Sequence, residues 1–291
     1  MSHSDYGRPV AVEEMSNRYF IHPLSGIVER FAIKWRISAN MLSFMGLAAG
    51  LFGGVFYYYQ DYRPFILAAF LSMITWHIFD GADGRVARAT GTSSAFGRVI
   101  DGICDHLVFG AVYFAFVFYL LRTGHSPTIW FWALAAAASH ALQAAGYEER
   151  RQNYQRRIKG VSRASVNEKL TAGTTQTSRL AQIYDKAQML ISRPDNQLDN
   201  TLEALKAQGQ DGLANHTISR TANIVRAWAL LNANNRTLML AVFAVFGAPA
   251  LYFVYEVVFL NIVLIGLMAY ERSAEAKIIR TLPRGIINSV S

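Results

Sequence analysis

The sequence predicts an all-α integral membrane protein with six transmembrane helices, an N-terminal interfacial amphipathic helix and a cytoplasmic helical insertion. Three observations carry that expectation. Of the 291 residues 52% are hydrophobic and only 16% charged, against about 25% charged in a soluble domain. Six long runs carry no charge: 41–59, 64–79, 106–121, 126–147, 237–255 and 257–270. Basic residues collect in alternate loops between those runs. Crossing a bilayer takes roughly 20 mostly apolar residues, and polar ends let the shorter runs reach the headgroups.

Residues 1–37 are the N-terminal cytoplasmic and interfacial segment. The first 16 residues are polar and mixed in charge, and no cleavable signal is expected there. Residues 17–37 (NRYFIHPLSGIVERFAIKWRI) interleave aromatic and basic side chains. They read as an amphipathic helix in the membrane interface or as a tether with snorkelling Lys and Arg. Residues 38–148 hold transmembrane helices one to four. Gly46, Gly50 and Gly54 repeat in steps of four along the first, a stripe that permits close helix contact. Residues 149–235 are polar and rich in Gln and Asn, and form the cytoplasmic insertion. Helical period appears at Leu180, Ile183, Ala187 and Leu190, then at Leu198, Leu202 and Leu205. Pro194, Gly209 and Gly212 divide the insertion into pieces. Residues 236–272 hold helices five and six, broken at Gly247-Ala248-Pro249, and 273–291 are a cytoplasmic tail.

The net charge of +8 suggests nucleic acid at first sight, but its placement follows the positive-inside rule instead. Arg30, Lys34 and Arg36 precede span one; Arg85, Arg88 and Arg98 separate spans two and three; Lys277, Arg280 and Arg284 follow span six. The alternate loops are short and nearly uncharged. Both termini and every basic loop are therefore expected in the cytoplasm, with the chain in a bacterial inner membrane. Cys104 is the single cysteine, so no intramolecular disulfide forms.

Residues 80–105, DGADGRVARATGTSSAFGRVIDGICD, place four aspartates where two apolar runs meet. Asp80, Asp83, Gly84, Ala87 and Arg88 share one helical face, and Gly97, Asp101 and Asp105 share another. Thr90–Ser94 supplies a glycine turn and N-cap residues between them. If the two helices are antiparallel neighbours, four carboxylates converge on one cleft beside small residues. Such a cluster needs counter-charge at a membrane interface. Mg²⁺ or Mn²⁺, which take hard oxygen ligands and commonly hold phosphate as well, would supply it. A nearby arginine suits a diphosphate. The competing account makes these aspartates surface helix caps paired with Arg85, Arg88 and Arg98. It serves a single DxxD pair as well as metal does, and the matched four less well. His77 and His140 read as hydrogen-bonded intramembrane residues, His106 as surface, and Cys104 as a small buried filler.

This spacing resembles the signature of the CDP-alcohol phosphotransferase (CDP-alcohol phosphatidyltransferase) family, D-x2-D-G-x2-A-R-x8-G-x3-D-x3-D. Asp80, Asp83, Gly84, Ala87, Arg88, Gly97, Asp101 and Asp105 fill its eight defined positions. The resemblance covers about residues 17–150 well and the last two spans loosely. It implies transfer of a substituted phosphate, in phospholipid synthesis, from a CDP-linked donor such as CDP-diacylglycerol to an alcohol, releasing CMP. It also implies that Asp80, Asp83 and Asp101 hold two divalent cations, that Asp105 is the general base and a further metal ligand, and that Gly84, Ala87, Arg88 and Gly97 bind the CDP moiety. Many members carry Pro-Asn before span one. Here the pair is Ala39-Asn40, and Asn40 is the residue expected at the nucleotide. The family also implies a homodimer.

The insertion at 149–235 is longer than the family's usual link and reads equally as a lid, a partner surface or an oligomer contact. Arg150, Arg151 and Arg236 would suit a phosphorylated acceptor such as glycerol phosphate or inositol phosphate. Positive-inside anchoring explains them as well, which leaves unphosphorylated serine, inositol or choline open. Two other classes compete for the aspartates. A divalent-cation transporter would place its carboxylates near mid-membrane, and a prenyl-diphosphate enzyme would need more helices and leave the Gly, Ala and Arg positions unexplained.

Overall fold

The computed structural model describes residues 10–161 and 197–283, with residues 95, 96 and 98–101 described by backbone alone. Within that range the secondary structure is helical throughout. The helices are α1 (His22–Lys34), α2 (Ala39–Tyr58), α3 (Arg63–Ala89), α4 (Ala95–Arg122), α5 (Ile129–Ile158), α6 (Gln197–Ala207), α7 (Asp211–Trp228), α8 (Ala233–Val245) and α9 (Pro249–Arg280). A π-helical stretch, Tyr255–Phe259, interrupts α9. Among the described residues four segments are long and apolar enough to cross a membrane: Ala39–Tyr58, Arg63–Ala89, Gly102–Arg122 and Pro249–Arg280. Their outward faces carry exposed Phe44, Phe52, Leu67, Leu71, Phe114, Phe118, Ile262 and Ile265, which suits lipid as surroundings. The other two expected spans stand apart for visible reasons. Ser139, His140 and Gln143 interrupt the apolar stretch of α5, and the 13 residues of α8 reach only about 20 Å.

The helix boundaries follow local chemistry. Ser38 caps α2 by accepting a hydrogen bond from the Met41 amide at 3.2 Å, and Ser94 caps α4 through the Gly97 amide at 2.9 Å. Between α3 and α4, Gly91 takes a φ of 67° while the Thr92 amide bonds the Ala87 carbonyl. The anticipated glycine turn and cap are thus both present. Gly247 at φ 66° closes α8, and Pro249 sits in the first turn of α9.

The chain divides into two compact units. One comprises Glu14–Ser139 with Ala233–Phe259. Its core is apolar and aromatic, built from Tyr57, Met73, Trp76, Phe109, Phe116, Leu240, Tyr252 and Phe253 among others. Within it α2 packs along both α3 and α4, far more extensively than those two pack on each other among the described residues. The glycine stripe makes this possible. A Cβ at Gly46 would lie 3.2 Å from Phe79 Cβ on α3, one at Gly50 2.4 Å from a Val108 methyl on α4, and one at Gly54 3.2 Å from the Ala111 backbone. The small residues are therefore used inside the protomer.

The N-terminal segment forms a π-helical turn, Asn17–Ile21, that runs into α1. Helix α1 buries Ser25, Gly26 and Ala32 and exposes Ile27, Phe31 and Ile33, with Tyr19, Phe20 and Trp35 exposed at its ends. Its buried side packs on α3. Ser25 donates to the Ile78 carbonyl at 2.9 Å, and Glu29 pairs with Arg85.

Among the described residues the second unit comprises 10–13, 140–161, 197–232 and 260–283. Buried Leu198, Leu202 and Leu205 lie on one side of α6, as their period requires. The segment with Leu180, Ile183, Ala187, Leu190 and Pro194, and Arg284 in the tail, fall outside the described residues. Arg156 and Arg157 of α5 grip Asp199 of α6 at 2.6 and 2.8 Å. Burial alone would raise the Asp199 pKa; the two guanidiniums hold it below the usual carboxylate value.

Candidate active site

The acid-bearing ends of α3 and α4 are the expected site, and the packing of α2 sets their register. Against α3, Ser43 meets Asp83, Gly46 meets Phe79, and Gly53 meets Met73. The two helices therefore run antiparallel. Against α4, Asn40 faces Gly97, Gly50 faces Val108 and Gly54 faces Ala111, which is a parallel register with a constant offset. Combining the two sets the acids at two levels. Asp83 on α3 and position 101 on α4 share the level of Ser43; Asp80 and position 105 share the level of about Gly46. The acid-bearing segments of α3 and α4 thus run antiparallel, each packed against α2.

Asp83 is 6% exposed, and its Oδ2 accepts the hydroxyl of Ser43, itself 7% exposed. Asp80 and Asp105 are half-buried, and Arg88 is exposed at the rim. Arg88 lies over Gly84, where an added Cβ would come 3.3 Å from its Nη1. At Gly97 an added Cβ would stand 3.3 Å from Ser94 Oγ and 3.7 Å from Asn40 Oδ1. Both glycines therefore keep open a cradle bordered by polar groups. Arg85, which alternates with these residues in sequence, turns the other way to Glu29.

Among the described residues no three metal-ligating side chains come together closely enough to hold an ion. The side chain of Asp101 lies outside that set. The donor chemistry nevertheless fits a hard divalent cation. It offers carboxylate oxygens at two levels of one register, with glycine-lined space beside them.

The remaining candidates sit elsewhere. Arg236 is 1% exposed as a side chain and pairs with Glu256 at 3.0 Å; Tyr252 donates to the same carboxylate oxygen at 2.6 Å. His77 Nε2 shares a hydrogen bond of 2.9 Å with Thr237 Oγ1, the intramembrane polar role anticipated for it. In the second unit Arg150 pairs with Glu271 and Glu149 and stacks over Trp228 at 4.1 Å, while Arg151 pairs with Glu148. Each arginine singled out for an acceptor phosphate thus engages a carboxylate. His106 bonds the Gly102 carbonyl at the surface, and Cys104 is buried and in no disulfide.

Sequence reasoning missed Ser43 and the Glu29–Arg85 clip. The signal for Ser43 was available: it is a polar residue three positions after Asn40, hence on the same face of α2.

These features describe an integral membrane protein whose aspartates and glycines collect at the facing ends of apolar helices, as a candidate site. Residues 36–190, more than half of the chain, match the CDP-alcohol phosphatidyltransferase family, and the chain belongs to that family. A phosphatidylinositol phosphate synthase of Corynebacterium glutamicum is 32% identical over 117 residues, which cover 40% of this chain and 50% of the relative. The chain thus spans about half the length of that relative.

Proposed function

We propose that this protein transfers a phosphatidyl group from CDP-diacylglycerol to an alcohol, releasing CMP, in phospholipid biosynthesis. The observation that supports the reading is the packing of the Asn40–Ser43 turn of α2, where Ser43 bonds Asp83 on α3 and Asn40 lies near Gly97 on α4. Asp80, Asp83, Asp101 and Asp105 would hold two divalent cations, Mg²⁺ or Mn²⁺. Those ions supply positive charge for the diphosphate and for oxygens that gain charge during transfer. Gly84, Ala87 and Gly97 leave room for the CDP moiety, Arg88 binds its diphosphate, and Asn40 contacts the nucleotide. Asp105 accepts the proton of the acceptor hydroxyl. The acceptor oxygen then bonds to the phosphatidyl phosphorus while the bond to the CMP oxygen breaks.

The acceptor we favour is phosphorylated, inositol phosphate before glycerol phosphate. The name of the Corynebacterium relative supports that order. Of the three arginines assigned to the acceptor, Arg151 is the most accessible, at 20% against 6% for Arg150 and 1% for Arg236. Each already pairs with a carboxylate, and Arg151 does so nearest to water. The topology that accompanies this reading has six spans, with α5 and α8 completing the four long apolar segments. The termini, the site and the 149–235 insertion face the cytoplasm of a bacterial inner membrane. The dimer implied by the family draws no support from the glycine stripe, which is occupied within the protomer.

Labelled CDP-diacylglycerol offered with inositol phosphate, glycerol phosphate, serine, inositol and choline tests the proposal. CMP and a lipid with a phosphorylated headgroup are expected. Release of CMP with serine, inositol or choline alone would overturn the acceptor class, and no release with any acceptor would overturn the reaction.

A further inference from the structure

We infer that Ser43 is a positioning residue for the metal site, holding the Asp83 carboxylate in one orientation from the neighbouring helix. The inference rests on the reading of Asp83 as a metal ligand.

Ser43 and Asp83 are both buried, at 7% and 6% exposure, and the Ser43 hydroxyl meets Asp83 Oδ2. A serine has one proton to donate. Its other neighbour is the Ala39 carbonyl at 3.3 Å, one turn back in α2. That oxygen belongs to the helix ladder, whereas a carboxylate is the stronger acceptor and gives the shorter bond. The hydroxyl is therefore committed to Asp83. With Oδ2 engaged from α2, and the carboxylate also accepting a backbone hydrogen bond from Gly84, rotation of the carboxylate about its terminal bond is restrained.

The position of the hydroxyl is set by backbone rather than by a flexible stem. Ser38 caps α2 and fixes the phase of its first turn. One turn beyond Ser43, Gly46 lets α2 approach until an added Cβ would lie 3.2 Å from Phe79 Cβ. Ser43 is thus held between a cap and a close helix contact. The same turn carries Asn40, which faces Gly97 on α4. One turn of α2 consequently reaches both half-sites, one by a hydrogen bond and the other by proximity. None of the eight signature positions includes Ser43, so its role comes from packing alone.

Hydrogen-bond partners of metal ligands typically change affinity by about 10–100-fold when removed. The test is Mn²⁺ titration of the detergent-solubilised full chain, with free Mn²⁺ read by electron paramagnetic resonance and fold checked by helicity and melting temperature. Ser43→Ala is expected to weaken Mn²⁺ binding by about 10–100-fold with helicity retained. Ser43→Thr, which keeps the hydroxyl, is expected to bind as the parent does. Asp83→Asn is the control for the underlying reading. Parent-like binding in Ser43→Ala with weakened binding in Asp83→Asn would overturn the role of Ser43 and leave the metal site standing. Parent-like binding in Asp83→Asn would overturn the metal assignment itself. Equal weakening in Ser43→Ala and Ser43→Thr, both folded, would show that the hydroxyl is not what matters and would also overturn the inference.

Discussion

Replacing Gly50 by alanine probes the wedge of α2 between α3 and α4. The new Cβ would stand 2.4 and 2.5 Å from the two Val108 methyls, where ordinary contact begins at 3.4 Å. Val108 is completely buried, and its β-branched side chain has essentially one rotamer in a helix, so it does not swing aside. The backbones must separate by about 1 Å. Overpacking of this kind costs about 1–3 kcal/mol. The better helix propensity of alanine returns about 1 kcal/mol, leaving a net loss of up to about 2 kcal/mol. At about 2–4 °C per kcal/mol for a domain of 150–250 residues, the melting temperature should fall by up to about 8 °C. Because the wedge carries Asn40 and Ser43, turnover should fall too, since a misplacement of about 1 Å can cost about 100-fold. Gly110 on the same helix as Val108 has nothing within 4 Å of an added Cβ, so Gly110→Ala should melt at or above the parent. Both quantities are read on purified protein in detergent by thermal unfolding and CMP release. A Gly50→Ala variant that melts and turns over like the parent would refute the wedge and the register derived from it.

Glu256→Gln leaves the Arg236 guanidinium without its buried counter-charge. A loss of about 3–5 kcal/mol is expected in thermal unfolding, partly recovered when Arg236→Met is added. Asp199 titrates below its ordinary value of 3.8 because Arg157 and Arg156 favour its ionised form. Its contribution to stability is complete above about pH 4 and is lost as pH falls through the lower folded value. Melting curves between pH 3 and pH 7 should show that loss in the parent and a smaller one in Asp199→Asn. Asp105→Asn should lower turnover by about 100- to 10,000-fold with helicity unchanged, as removal of a general base does; parent-like turnover would remove that assignment.

The residues that were legible in the sequence are those whose local chemistry is sufficient. The capped turn at Gly91–Ser94, the break at Gly247–Pro249 and the helical face of Leu198, Leu202 and Leu205 each follow from a few neighbouring residues. The acids of α3 and α4 could be assigned to faces, but not to levels. Levels depend on where α2 lies, and α2 lies where four glycines admit it against Phe79, Val108, Met73 and Ala111. A glycine stripe alone does not say whether its partner is in the same chain or another. Ser43 could be placed on the face of Asn40, but its partner Asp83, 40 positions away, is supplied only by the packing of α2 on α3. Arg150 and Arg236 resemble anchoring cations in sequence, and only tertiary structure supplies Glu271 and Glu256. The four-versus-six span question arises at α5 and α8, where polar residues and short length weaken the hydropathy that spans are read from.

The central claim is that the paired acids perform a metal-dependent phosphatidyl transfer. The most direct measurement reconstitutes the full chain in vesicles containing CDP-diacylglycerol, adds inositol phosphate, and follows CMP and the lipid product by mass spectrometry with and without Mg²⁺ or Mn²⁺. The account predicts equal amounts of CMP and a phosphatidylinositol phosphate, formed only when metal is present and lost in Asp83→Asn. Product formed equally without divalent metal, or metal uptake into nucleotide-free vesicles with no CMP released, would contradict it.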